Sequence, residues 1–198
     1  MATLQQAKEL ALGITSAMNG RGAPNGLRGN IAAGSFDAVR EHHSSINLLM
    51  ENCLYGSAFA LLRPMFDGCI VGLWATYLAT DELLERFEAG RYTLSPQKII
   101  TQLKSRDDGS YTDTLQRMYG QAWKPLSSYV HGGHLSVSRR NAATYVGPSY
   151  AVEEVSEVIT FSNAMVIIAA IEIPDLTTDP EFKDTMMQVI NTYIQKQG

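Results

Sequence analysis

Phe36, Val39, His43, Ile46, Met50 and Cys53 fall three and four residues apart. An apolar series with that spacing is the seam of a helix laid against another helix. The period returns along most of the chain. Leu4, Ala7, Ala11, Ile14 and Met18 predict a first helix. Phe59, Leu62, Phe66, Cys69 and Leu73 predict a long one from Ser57 to near Thr80, and Phe182, Met186, Val189, Ile190 and Tyr193 a last one. Between Val158 and Ile173 the chain is almost continuously apolar, which predicts a central buried helix within a strong helical segment, roughly 151–173, stopped by Pro174. The fold class expected is all-α, a helical bundle with short connections. A chain of 198 residues suits one domain and buries roughly 70% of its unfolded surface.

Glycine, proline and capping residues punctuate the pattern. Five glycines and Pro24 between Asn19 and Gly34 predict a loop, so residues 1–34 read as an N-terminal helix plus Gly-rich loop and 35–198 as the bundle core. Ser35 can cap the second helix, and Tyr55-Gly56 ends or bends it. Pro64 lies inside the long helix and should cost a backbone bond and kink it. Thr80-Asp81-Glu82 opens a short helix through Glu88. Ser95-Pro96 opens another through Lys104. Arg106 to Ser110 reads as polar loop. Leu115, Met118 and Ala122 mark a helix that ends before Pro125, with Pro125 opening a new turn that Gly132-Gly133 closes. Asp179-Pro180 opens the last helix. Leu135 and Val137 alternate with Ser136 and Ser138, so the stretch 134–147 is either a short strand or irregular helix.

Charge and cysteine usage narrow the function classes. A net charge of −4 is opposite to that of a generally basic nucleic-acid binder, so RNA or a nucleotide would need a local basic patch. Cys53 and Cys69 both fall in apolar helical stretches and read as small buried hydrophobes, which fits a reducing compartment. The run 158–173 contains Ser162, Asn163 and Glu172, too short and too polar for a span of about 20 residues. Residues 1–18 lack a basic region followed by an apolar block. The cytoplasm is the expected location, with no membrane partner.

Four constellations could carry chemistry. Arg63 and Asp67 stand four apart on one helix, either an anion-binding guanidinium oriented by a carboxylate or a structural ion pair. Ser127 and His131 share a face, and Gly132-Gly133 would let His134 turn back toward His131 for acid–base work; the alternative is a helix cap and a turn. Arg139-Arg140 could grip phosphate or be a solvated charge pair. His42-His43 lacks the HExxH or Glu-x-x-His spacing of a metal set. His43, on an apolar seam, reads as a hydrogen-bonded core histidine. Neither a metal nor a cofactor is called for.

The segments Leu61-Leu62-Arg63-Pro64-Met65-Phe66-Asp67, Trp74 and Leu126-Ser127-Ser128-Tyr129-Val130-His131-Gly132-Gly133-His134 resemble an uncharacterised bacterial helical family related to the HEPN superfamily, over roughly Phe36 to Arg140. The resemblance implies a HEPN-like bundle, a homodimer (which the wide apolar stripes also predict), and a toxin–antitoxin or phage-defence setting. It also implies a metal-independent ribonuclease with His131 as its histidine. The family's arginine, separated from that histidine by four to six intervening residues, is missing: the chain has Lys124, Pro125 and Leu126 there. Lys124 supplies charge without the planar fork. On this reading His131, Arg63, Asp67 and His134 are the catalytic set, and Arg139, Arg140, Ser127 and Lys124 bind substrate. The alternative is a non-catalytic interaction or sensor protein, antitoxin-like or a scaffold, with a protein partner.

Overall fold

The structure, a computed structural model, describes residues 3–106, 111–141 and 144–197. Most of the expected loop 106–110, and residues 142 and 143 of the irregular stretch, lie outside these. Among the described residues there are nine helices and no strand. They are α1 (Leu4–Met18), α2 (Gly26–Glu51), α3 (Tyr55–Tyr77), α4 (Asp81–Glu88), α5 (Pro96–Lys104), α6 (Thr112–Val130), α7 (His134–Ser138), α8 (Val152–Asp175) and α9 (Pro180–Gln195). One hydrophobic core runs from Leu10 to Tyr193.

The α2–α3 hairpin is the most extensive pairing, and α8 packs on both of its helices. Its closeness comes from two glycines one turn apart on α3. A Cβ at Gly72 would stand 2.7 Å from Phe36 Cδ1, and one at Gly68 would stand 3.3 Å from the Ser35 carbonyl oxygen. Side chains there would force the helices apart. The turn between them is a Schellman motif, with Leu54 N–H donating to Leu49 O at 2.8 Å and Cys53 N–H to Met50 O at 3.1 Å. Cys53 holds the left-handed position, φ 57°, and is exposed. That corrects the expectation of a buried helical thiol: the seam stops at Met50, where the chain must reverse. Cys69 is buried, as expected.

Three other expectations change. The loop expected over 19–34 ends at Asn25, because α2 begins at Gly26. Leu27 and Ile31 pack on the core and Ala32 is wholly buried. This burial outweighs the roughly 1 kcal/mol that each helical glycine costs. Ser35 therefore caps nothing; its hydroxyl donates to Ile31 O inside the helix, at 2.7 Å. Pro125 does not start a new turn, because α6 runs unbroken from Thr112 to Val130, with Leu126 and Tyr129 buried beyond the proline. Pro174 likewise lies within α8. The uncertain stretch resolves into the single turn and a half of α7 and an isolated bridge between Asn141 and Val146. By length and composition alone α3 and α8 could cross a membrane, and 61% of each apolar window is buried inside the protein.

Polar groups pin α8 into the core. Glu172, 3% exposed, accepts from Tyr77 Oη at 2.6 Å and Tyr111 Oη at 2.7 Å. Burial, then the bond to Glu172, raises both phenols above their usual range. His43 is fully buried, as the seam predicts, with Nε2 2.7 Å from Asn163 Oδ1. Asn163 Nδ2 in turn donates to Tyr193 Oη at 2.8 Å, so the chain of bonds links α2, α8 and α9. Because Oδ1 can only accept, Nε2 carries the imidazole proton. Nδ1 and both polar atoms of Asn47, one turn on, have no hydrogen-bond partner among the described residues.

Burial lowers the His43 pKa from 6.5 to about 4, against the bond to Asn163, which raises it. The unfolded chain therefore takes up a proton between pH 6.5 and 4 that the folded chain refuses. The contribution to stability is complete above pH 6.5 and falls as the pH drops, by about 3 kcal/mol in total. His43→Gln keeps a donor near Asn163 and removes the titration. Urea unfolding of both proteins from pH 7 to pH 4.5 should show the wild type losing more stability than the variant; parallel losses would contradict a neutral buried imidazole.

Candidate functional site

Arg63 and Asp67 meet as their spacing predicts, with Nε donating to Asp67 Oδ2 at 2.9 Å. The rest of the guanidinium turns toward α6. Nη1 donates to Ser127 Oγ, and the group stacks over Trp123, with Cζ 3.2 Å from the ring centroid. Ser127 Oγ in turn donates to the Trp123 carbonyl at 2.8 Å. Trp123 beds against Tyr119 and Phe66, at centroid distances of 4.8 and 6.0 Å. Half-burial raises the Asp67 carboxyl above its usual range, and the Arg63 charge only partly offsets this. The arginine thus joins α3 to α6 by a hydroxyl bond and a cation–π contact, while its charge-assisted bond to Asp67 within α3 orients the guanidinium. A guanidinium committed in this way is not an open anion receptor.

The histidines stand apart from this group. His131 is the C-cap of α6, its N–H donating to Ser127 O at 3.1 Å. Gly132 takes φ 64°, and Gly133 N–H donates to Ser128 O at 2.7 Å, which completes a second Schellman turn. Ser128 Oγ accepts from Leu135 N–H at 3.0 Å. The glycines therefore serve the cap and launch α7, which begins at His134. Both imidazoles are exposed, and among the described residues neither bonds to the other, to Arg63 or to Asp67. His131 lies one turn beyond Ser127, so the arginine and the histidine occupy neighbouring turns without contact.

The expected basic patch is also largely spoken for. Arg139 pairs with Glu154, which also accepts from Ala151 N–H at 2.9 Å. Arg140 lies against Gly56, where a Cβ would come within 2.8 Å of its Nη2 and 3.1 Å of Tyr150 Oη. Lys124 is exposed. Among the described residues no three His, Cys, Asp or Glu side chains gather to hold a metal.

What the sequence did not reveal is a groove. α6 and α8 both pack on α3 but barely touch each other, which leaves a trough of about 900 Å³ between them. Phe59 and Leu62 of α3 form its floor. Met118, Ala122 and Leu126 line the α6 wall, Val158, Phe161 and Ala164 the α8 wall. Glu153, Glu154 and Glu157 edge one end and Arg117 the other. The only sequence signal was the four-residue repeat of Met118, Ala122 and Leu126, which marks an apolar stripe but not what it faces.

This is an all-α protein with an apolar, acid-edged trough between two of its helices. Residues 36–196 match a family of unknown function, DUF6988, and the chain belongs to that family. The match begins in the middle of α2 and takes in every helix that builds the groove. No curated protein and no solved structure matches the chain.

Removing the clamp should loosen α6. Arg63→Ala is expected to lower unfolding stability by roughly 1–3 kcal/mol, and Arg63→Lys should recover little because it lacks the planar fork. Denaturant titration followed by tryptophan fluorescence measures both. A loss within about 0.5 kcal/mol, the usual size of a surface substitution, would show that the contact holds nothing.

Proposed function

We propose that the protein is a non-catalytic helical interaction protein, antitoxin-like or a scaffold, which works in the cytoplasm by holding a partner in the groove between α6 and α8. The groove itself carries this reading: an open, largely apolar trough of about 900 Å³, walled by two helices and floored by a third, with Met118, Ala122, Phe161 and Ala164 only half-buried along it, is a surface that a protein partner would cover. The internal use of Arg63, Ser127 and Arg139 supports it, as does the net charge of −4. One observation favours a second reading, a HEPN-like metal-independent ribonuclease or nucleotide-acting component of a toxin–antitoxin or phage-defence system. Arg63 reaches Ser127, one turn before His131. Against it, both histidines lie outside the bonded group.

Ala122 is half-buried on the α6 wall, so Ala122→Trp fills the trough from its side. A partner co-purifying in stoichiometric amount with the wild type should be lost with Ala122→Trp while the melting curve is unchanged. The purified chain should leave RNA and nucleotides intact. Turnover that His131→Ala abolishes would contradict the proposal and favour the ribonuclease.

A further inference from the structure

We infer that the occupant of the groove is a basic amphipathic helix of a partner protein; this rests on the interaction reading above and names the partner's chemistry. The trough follows α6 from Thr114 to Tyr129. At 1.5 Å rise per residue it is roughly 22 Å long, which is about four turns of helix. Two parallel helical walls over an apolar floor accept a third helix through side chains at i, i+3, i+4 and i+7.

The charge at the edges selects among such helices. Glu154 is already paired with Arg139. Glu153 and Glu157 lie one turn apart on α8, both exposed, and neither forms an ion pair among the described residues. Two carboxylates at that spacing take two cations at i and i+4 of a facing helix. They repel RNA backbone and acidic helices from the same edge. At the opposite end Arg117, which donates to Thr114 Oγ1 at 3.2 Å, meets the occupant with the reverse charge. The occupant is therefore basic toward Glu153 and Glu157 and neutral or acidic toward Arg117.

Among the described residues, the lysines of α5 and of the C-terminal region do not give a second copy such a helix. Lys183 and Lys196 of the C-terminal region are paired with Asp175 and Glu9. Lys98 and Lys104 lie on α5, a nine-residue helix whose apolar face, Ile99, Ile100 and Leu103, is already buried.

The test is a display selection on the full chain. The probe is a library of 15-residue helices with a fixed leucine seam and Lys or Glu at equal frequency on the flanking positions. Selected helices should be enriched in Lys at positions i and i+4 near one end. Their binding should disappear with Ala122→Trp, weaken about tenfold or more with Glu153→Lys plus Glu157→Lys, and recover for the charge-swapped peptide. Glu153 and Glu157 are exposed and Ala122 is half-buried on the groove wall, and a melting curve verifies each fold. Acidic or neutral helices that bind in the groove would overturn this inference and leave the interaction reading standing. Indifference to the charge reversal would do the same. Self-association abolished by Ala122→Trp would give the groove to a second copy. No enriched helix at all, together with RNA turnover, would overturn both.

Discussion

The close approach of α3 to α2 at Gly68 and Gly72 sets the geometry of everything packed on the other flanks of α3. With the Phe36 ring lying over Gly72, the two helices make one rigid hairpin, and α3 becomes the surface on which α5, α6 and α8 settle. Its apolar faces, from Phe59 through Leu62, Phe66 and Leu73, are buried against different neighbours. The Arg63–Asp67 ion pair on it faces α6. A helix that is apolar nearly all round has to be covered on all sides, and between α6 and α8 the cover is incomplete.

Two attachments keep α6 and α8 where they are. Arg63 ties α6 to α3 through Ser127 and Trp123. Glu172, held by Tyr77 of α3 and Tyr111 beside α6, anchors the distal end of α8, while His43 and Asn163 fix its middle to α2. These are polar contacts in a largely apolar bundle, and each loses strongly if its partner moves, because the group left behind would be buried without a hydrogen bond. They give the groove fixed walls. A preformed apolar surface avoids the ordering cost that would otherwise weaken binding.

Much of the fold was legible in the sequence where the determinant is local. Thr80 with Asp81 and Glu82, and Ser95 with Pro96, mark the starts of α4 and α5 because caps are the chemistry of adjacent residues. The seam containing His43 marks α2 and correctly buries that histidine. Gly29 and Gly34 misled because burial of Leu27, Ile31 and Ala32 overrides their propensity. Pro125 misled because one lost backbone bond is outweighed by packing on both sides of it. The site was less legible. The spacing of Arg63 and Asp67 revealed their pairing, but nothing local announces that Trp123 will lie under the guanidinium, or that α6 and α8 will stand apart over Phe59 and Leu62. The glycines after His131 have the same spacing whether they build a cap or bring two imidazoles together, and the structure uses them as a cap.

Arg63 holds α6 at a fixed separation from α8, so that the trough is built into the free protein. Spin labels on Gln121 of α6 and Thr160 of α8, both exposed and both lining the trough, measure that separation directly once the exposed Cys53 is replaced. The wild type should give one narrow distance distribution, and Arg63→Ala a broad or shorter one as α6 comes free. A broad distribution in the wild type, or an unchanged narrow one in Arg63→Ala, would contradict the account.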